Sequence, residues 1–221
     1  CAGCGPFLRD RLYCVRRGAL VPLPTDALPE QDELTFYEEE RAALTEQVIH
    51  FMRGERNRPL LLTGGPGTGK TTLVLNLARE LPEVRLVTAG PEDFACLDLI
   101  CQELSRQPLR FLLHLDDAQL LDPGFAALRQ DLQYGRVGGE NQLILASAQD
   151  GDDSVFAHRI HLGAPTLKAF IAHVEALLGQ RGLLLPYDSI QNACIDAANN
   201  GPLNYTAAAR TASYLSWKKE R

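Results

Sequence analysis

Gly64-Gly65-Pro66-Gly67-Thr68-Gly69-Lys70-Thr71-Thr72 is the stretch that decides the fold of this chain. It satisfies the phosphate-loop spacing GxxxxGK[ST] without a mismatch. An apolar run, Leu60-Leu61-Leu62-Thr63, leads in, and a helix-like run, Leu73-Val74-Leu75-Asn76-Leu77-Ala78, leads out. Strand, glycine-rich loop and helix in that order turn backbone N–H groups toward a polyphosphate, and the helix N-terminus adds partial positive charge. Gly65, Pro66, Gly67, Thr68, Gly69, Lys70, Thr71 and Thr72 are therefore the expected nucleotide contacts. Lys70 should reach the β- and γ-phosphates, and the Thr71 hydroxyl should ligate Mg²⁺. The chain reads as a binder of a nucleoside triphosphate.

Working outward, the sequence alternates strand-like and helix-like runs. A helix is expected over 38–53, with Leu44, Val48, Ile49 and Met52 on one face, stopped by Gly54. Strands are expected at 59–63, 84–88, 111–115, 143–146 and 159–162. Helices are expected between them, including 91–105 opened by Pro91 and one reaching 134 from the Asp122-Pro123 cap. The alternation predicts a parallel sheet. Helices at 166–180, 187–199 and 203–217 follow, the last two with no strand between them, as in a small helical lid. Residues 1–33, rich in Pro and Arg, read as an extended arm outside the core. The expected organisation is thus an arm (1–33), an α/β nucleotide-binding domain (34–165) and a lid (166–221).

A length of 221 residues with 45% hydrophobic content suits one such domain and a small appendage. The net charge of −6 supplies no general attraction to nucleic acid. Basic clusters at Arg9-Arg11-Arg16-Arg17, Arg53-Arg56-Arg58 and Lys218-Lys219-Arg221 read as solvated surface unless they share a face. No apolar run has the length of a membrane span, no signal peptide is seen, and the start at Cys1 fits a trimmed chain. Of six cysteines, Cys1 and Cys4 have metal-ligand spacing with Cys14 as a conceivable third. No second CxxC and no nearby His completes that set. Cys96, Cys101 and Cys194 read as buried thiols, which implies a reducing, cytoplasmic home.

Asp116-Asp117 closes the apolar strand 111–115. A carboxylate at a strand end beside a phosphate loop can hold Mg²⁺ through water, and its neighbour can orient the attacking water. Asp116 is assigned the first role and Asp117 the second.

With the loop GGPGTGKTT, the acidic strand end LHLDDAQLL and the later strand LILASAQ in hand, the chain resembles the AAA+ class of P-loop ATPases. Within that class it looks most like the bacterial AAA+ family known as domain-of-unknown-function family 815. That resemblance implies a five-stranded sheet in the order 5-1-4-3-2 and a C-terminal helical lid. It also implies ATP and Mg²⁺ as ligands, self-association, and a protein or DNA partner. Its polar sensor falls on Gln149, with Ser147 the nearby alternative, and its adenine contact falls on Phe36-Tyr37, which could equally plug the core. The Arg-Phe pair that would supply an arginine finger to a neighbouring subunit falls on Val155-Phe156, so the finger is missing; Arg159 is nearby but would point elsewhere along the strand, and Arg136 is a distant candidate. The lid's sensor arginine falls near Leu203, with Arg210 two turns further on. An arginine finger contributes about 10³–10⁵ in rate. The expected activity is therefore slow, Mg²⁺-dependent ATP hydrolysis coupled to conformation or partner binding.

Two other classes share these signals. A DNA-associated regulator or loader is compatible with the basic arm, and a small-molecule kinase shares the phosphate loop. No Asn-Lys-x-Asp base-reading motif occurs, which argues against GTP.

Overall fold

A computed structural model describes residues 5–24, 36–55, 58–151 and 153–219. Its centre is a seven-stranded sheet, made of β1 (Leu12–Arg16), β2 (Ala19–Pro22), β3 (Leu60–Gly64), β4 (Arg85–Ala89), β5 (Phe111–Leu115), β6 (Gln142–Ala148) and β7 (His158–Leu162). The strand order is β2-β1-β4-β5-β6-β3-β7, and every neighbouring pair is parallel except β1 with β2. The order 5-1-4-3-2 implied by the resemblance is present as β7-β3-β6-β5-β4.

The two extra strands correct the reading of residues 1–33 as an arm clear of the core. Leu12-Tyr13-Cys14-Val15 is a short apolar run between Arg11 and Arg16, and it extends the sheet beside β4. Leu12 packs into the core on one face of the sheet, while Tyr13 and Val15 pack into the other. Arg17 (φ 52°) and Gly18 (φ 73°) then form a left-handed two-residue turn, which matches the twist of a hairpin and brings β2 back antiparallel. Composition hid this strand, because proline and arginine around it outweigh four apolar residues. Cys1, Cys4, Pro29, Arg56 and Arg221 lie outside the described residues.

Helices cover both sheet faces, so β3, β5 and β6 are buried at every position and mostly apolar, with Thr63, His114, Gln142 and Ser147 as their polar members. On one face pack α1 (Glu38–Met52) and α2 (Lys70–Glu80). Leu44, Val48 and Phe51 recur at helical spacing and form the buried stripe of α1. The other face carries α3 (Leu97–Ser105) and α4 (Pro123–Gln133). The single helix expected over 91–105 is two pieces: Pro91–Cys96 winds as a 3₁₀ helix before α3 begins. The helices α5 (Leu167–Gln180), α6 (Tyr187–Asn200) and α7 (Tyr205–Lys219) form the C-terminal bundle. Thr166 caps α5, its hydroxyl accepting from the Ala169 N–H at 3.2 Å. The bundle has its own core, built on Phe170, Val174, Leu178, Cys194, Ala208 and Ala212.

Candidate functional site

Parallel strands deliver their C-terminal ends to one edge of the sheet, and three of those ends make the site. β3 runs into the loop 65–69, which hands over to α2 at Gly69 (φ 90°). Gly64 has no room for a side chain: a Cβ there would stand 2.8 Å from Thr68 Oγ1 and 2.9 Å from the Leu162 carbonyl. The loop is closed on itself, Thr68 Oγ1 donating to the Gly65 carbonyl at 2.9 Å. Lys70 Nζ donates to the Gly64 and Gly65 carbonyls at 2.6 and 3.2 Å, so the ammonium lies across the loop. Partial burial lowers its pKa, and the carboxylates of Asp116 and Asp117 oppose that shift.

Thr71, one residue into α2, faces the end of β5. Its hydroxyl donates to Asp116, 3.1 Å from Oδ1 and 3.3 Å from Oδ2. The end of β6 adds Ser147, whose Oγ donates to Asp116 Oδ1 at 2.8 Å. Beneath them, His114 Nε2 is 3.1 Å from Ser147 Oγ. Burial pushes the His114 imidazole down to about 4, against the opposing pull of Asp116, so the ring is neutral near pH 7. Its Nδ1 is buried without a hydrogen-bond partner among the described residues, which costs roughly 1–3 kcal/mol.

Asp117 sits in the left-handed region at φ 50°. That conformation costs an L-residue roughly 1–2 kcal/mol, and Asp is among the types that tolerate it. The turn sends the exposed Asp117 away from Asp116, into a cleft of about 410 Å³ that Gln149 also lines. Gln149 reaches the phosphate loop by its backbone, its carbonyl accepting from the Gly64 N–H at 3.1 Å. The structure thus brings Lys70, Thr71, Asp116 and Ser147 together, and Asp117 and Gln149 line one cleft.

The other expected positions fare differently. Phe36 is 5% exposed and packs inside the C-terminal bundle, its ring 4.5 Å from Tyr205 and 4.8 Å from His173. Tyr37 donates from its hydroxyl to the Gly163 carbonyl at 2.7 Å and borders a cleft of about 430 Å³ with Pro165 and Thr166. Val155 is packed against the sheet core, and Phe156 is buried against Phe125. Arg159 donates to the Asp153 carbonyl at 3.3 Å, and Arg136 pairs with Asp131 and lies over Tyr134. Arg210 is exposed on α7, its Nε donating to Thr206 O at 3.4 Å.

Two residues at the start of α7 approach the loop unannounced by any motif. Asn204 Oδ1 caps α7 through the Ala207 N–H at 2.8 Å, while its Nδ2 donates to the Pro66 carbonyl at 3.0 Å. Thr206 lies so close to Gly67 (φ 76°) that a Cβ on the glycine would stand 2.6 Å from Thr206 Oγ1. His114 and Ser147 were legible in principle: His114 is the lone polar side chain in an otherwise apolar strand. Among the described residues no cluster of three His, Cys, Asp or Glu side chains could hold a metal ion. Cys14, Cys96, Cys101 and Cys194 are free thiols, and burial pushes Cys101 and Cys194 up to about 11. No described helix is long and apolar enough to cross a membrane.

Residues 10–130 match the family described as "Protein of unknown function (DUF815)". No curated protein matches the chain by sequence. Among solved structures the chain is similar to the Orc1 protein of Aeropyrum pernix in complex with DNA, at 18% identity and a TM-score of 0.69, covering 89% of this chain and 63% of that one. It is similar to PCH-2 of C. elegans, at 17% identity and a TM-score of 0.66, covering 89% of this chain and 67% of that one. Domain III of the Thermotoga maritima replication initiation protein DnaA gives 17% identity and a TM-score of 0.59, with 90% of this chain and 92% of that chain covered. The chain thus spans less than two thirds of the Orc1 chain. At such identities the likeness is one of fold, and that fold is the AAA+ type of P-loop α/β domain.

Proposed function

We propose that this chain, which belongs to the DUF815 family, binds ATP with Mg²⁺ at the phosphate loop, hydrolyses it slowly and passes the nucleotide state to its C-terminal helices. The observation that carries this reading is the meeting of Lys70, Thr71 and Asp116 where the loop, α2 and β5 converge. Lys70 compensates phosphate charge, and the N-terminus of α2 adds its dipole. The fit for Mg²⁺ rests on chemistry: a hydroxyl and a carboxylate side by side are the hard oxygen donors it takes. Bound with the nucleotide, Mg²⁺ would neutralise charge on the phosphate oxygens. Asp117 is the base that accepts a proton from the attacking water, and Gln149 orients that water or the γ-phosphate. In this reading Tyr37, on its cleft with Pro165 and Thr166, takes the adenine contact, and the Phe36 ring belongs to the bundle core.

In this reading residues 34–165 form the nucleotide-binding domain, with β1 and β2 added at its edge, and 166–221 form the lid. The free thiols suit the reducing cytoplasm. The test is calorimetry of ATP with the full chain and with Lys70→Ala; equal affinity in the two would refute the site. A second reading, a DNA-associated regulator or loader, draws on the likeness to Orc1 in complex with DNA and on the exposed Arg9, Arg16 and Arg17. Its measure is ATPase rate with and without single- and double-stranded DNA. A rate indifferent to both would remove it.

A further inference from the structure

Phe111-Leu112-Leu113-His114-Leu115 would be an ordinary central strand but for its imidazole, which is 1% exposed. The hydrogen-bond bookkeeping around it has one solution. Asp116 as a carboxylate can only accept, so the single Ser147 proton goes to Asp116 Oδ1 at 2.8 Å. Ser147 Oγ is then an acceptor toward His114 at 3.1 Å, so the ring donates from Nε2. The same oxygen also accepts from the Asp117 N–H at 3.3 Å. Nδ1 is left bare and buried, which a leucine at this position would avoid. A group retained in such a state asks for a reason beyond packing.

The reason lies one bond further out. Asp116 Oδ1 receives Ser147 at 2.8 Å, the Asp117 N–H at 3.1 Å and Thr71 at 3.1 Å, whereas Oδ2 is met, among the described residues, by the longer arm of the Thr71 contact, at 3.3 Å. One carboxylate oxygen is therefore filled by three donors and the other keeps its acceptor capacity. We propose that His114 is a positioning residue: through Ser147 it holds Asp116 Oδ1 and so keeps Oδ2 available for the Mg²⁺ that would accompany a bound nucleotide. The inference rests on the ATP–Mg²⁺ reading of the site and assigns it a residue outside the phosphate-loop and Asp-Asp motifs. Groups that orient metal-binding carboxylates matter to the metal nearly as much as the donors themselves.

The experiment measures ATP affinity in chelator, then the Mg²⁺ concentration for half-maximal gain in affinity, alongside thermal melts. It compares the full chain with His114→Leu, His114→Gln, Ser147→Ala and the His114→Leu/Ser147→Ala double variant. His114→Leu should raise the half-saturating Mg²⁺ about tenfold, with ATP affinity in chelator within about twofold and a melting temperature equal or higher. A purely structural role predicts the reverse, a lower melting temperature and unchanged Mg²⁺ dependence. Gln keeps an N–H donor near the place of Nε2, so His114→Gln should restore most of the Mg²⁺ response. Ser147→Ala should reproduce the loss, and the double variant should be no worse than Ser147→Ala alone. Parental Mg²⁺ dependence in Ser147→Ala, or in a folded His114→Leu, overturns the inference and leaves the ATP site standing. Failure of the parent chain to bind ATP at all overturns both.

Discussion

At the heart of the site, Thr71 and Ser147 donate to Asp116, and Lys70 donates to the Gly64 carbonyl, so hydrogen bonds tie α2 and β6 to the end of β5 and α2 to β3. At the β7 corner the same molecule does something else with its polar groups. The position assigned to an arginine finger carries Val155, packed against the sheet core, and Phe156 stacks on Phe125 at 6.3 Å. The arginines of that corner are committed to local structure. Arg129 pairs with the buried Asp153, donates to the Leu120 carbonyl at 2.7 Å and lies over the Phe125 ring; Arg159 donates to the Asp153 carbonyl. The lid turn likewise presents the neutral Asn204 to the loop. The contrast separates two tasks. On the proposed reading, the groups that would hold phosphates and a cation come from one chain, while Val155 stands at the finger position and Arg129 and Arg159 are bonded locally.

The largest expected effect tests the first half of that contrast. Lys70→Ala removes a charge-assisted contact to two phosphates, so ATP affinity should fall by at least about a hundredfold in calorimetry, with an unchanged melt. Next, Asp117→Asn should leave ATP affinity within about twofold and lower the hydrolysis rate by about 10²-fold or more, as for loss of a general base. Parental turnover in that variant would make Asp117 a turn residue and nothing more.

The second half is sharpened by Val155→Arg. If copies of the chain pack so that this position meets a neighbour's phosphates, specific ATPase activity should rise on the order of tenfold and increase with protein concentration, a fraction of what a full finger supplies. The parent's specific activity should stay flat across the same dilution series. A steep loss on dilution of the parent would reveal a group donated in trans. The smallest effect concerns the lid. Asn204→Ala loses both the α7 cap and the bond to Pro66, and should cost about 1 kcal/mol of stability. Asn204→Asp keeps the cap and loses only the donor to Pro66. Melts should separate the two variants, while hydrogen exchange at the start of α7 should rise in both.

What was legible in the sequence is what contiguous residues determine. The phosphate loop needs glycines and a Lys-Thr pair at fixed spacing, because its φ/ψ values and its helix start are local properties. The central strands β3, β5 and β6 were visible as mainly apolar runs, because burial on both faces removes the polar alternation, whereas the edge strand β7 showed only a short alternation of Ile160 and Leu162. The Asp pair was visible because it ends one of those runs. Only the tertiary structure decided the rest. Whether Leu12–Arg16 is arm or strand depended on the open edge of β4, which no property of those five residues reports. The Phe36 ring, a plausible base contact on paper, went to the bundle core because His173 and Tyr205 meet there. Asn204 reaches Pro66 across 138 residues of chain, and His114 meets Ser147 across 33. Such contacts are set by how sheet, helices and lid pack together. Side chains that act through a partner distant in sequence leave no spacing to read, so the phosphate loop declared itself and the residues that orient and cover it did not.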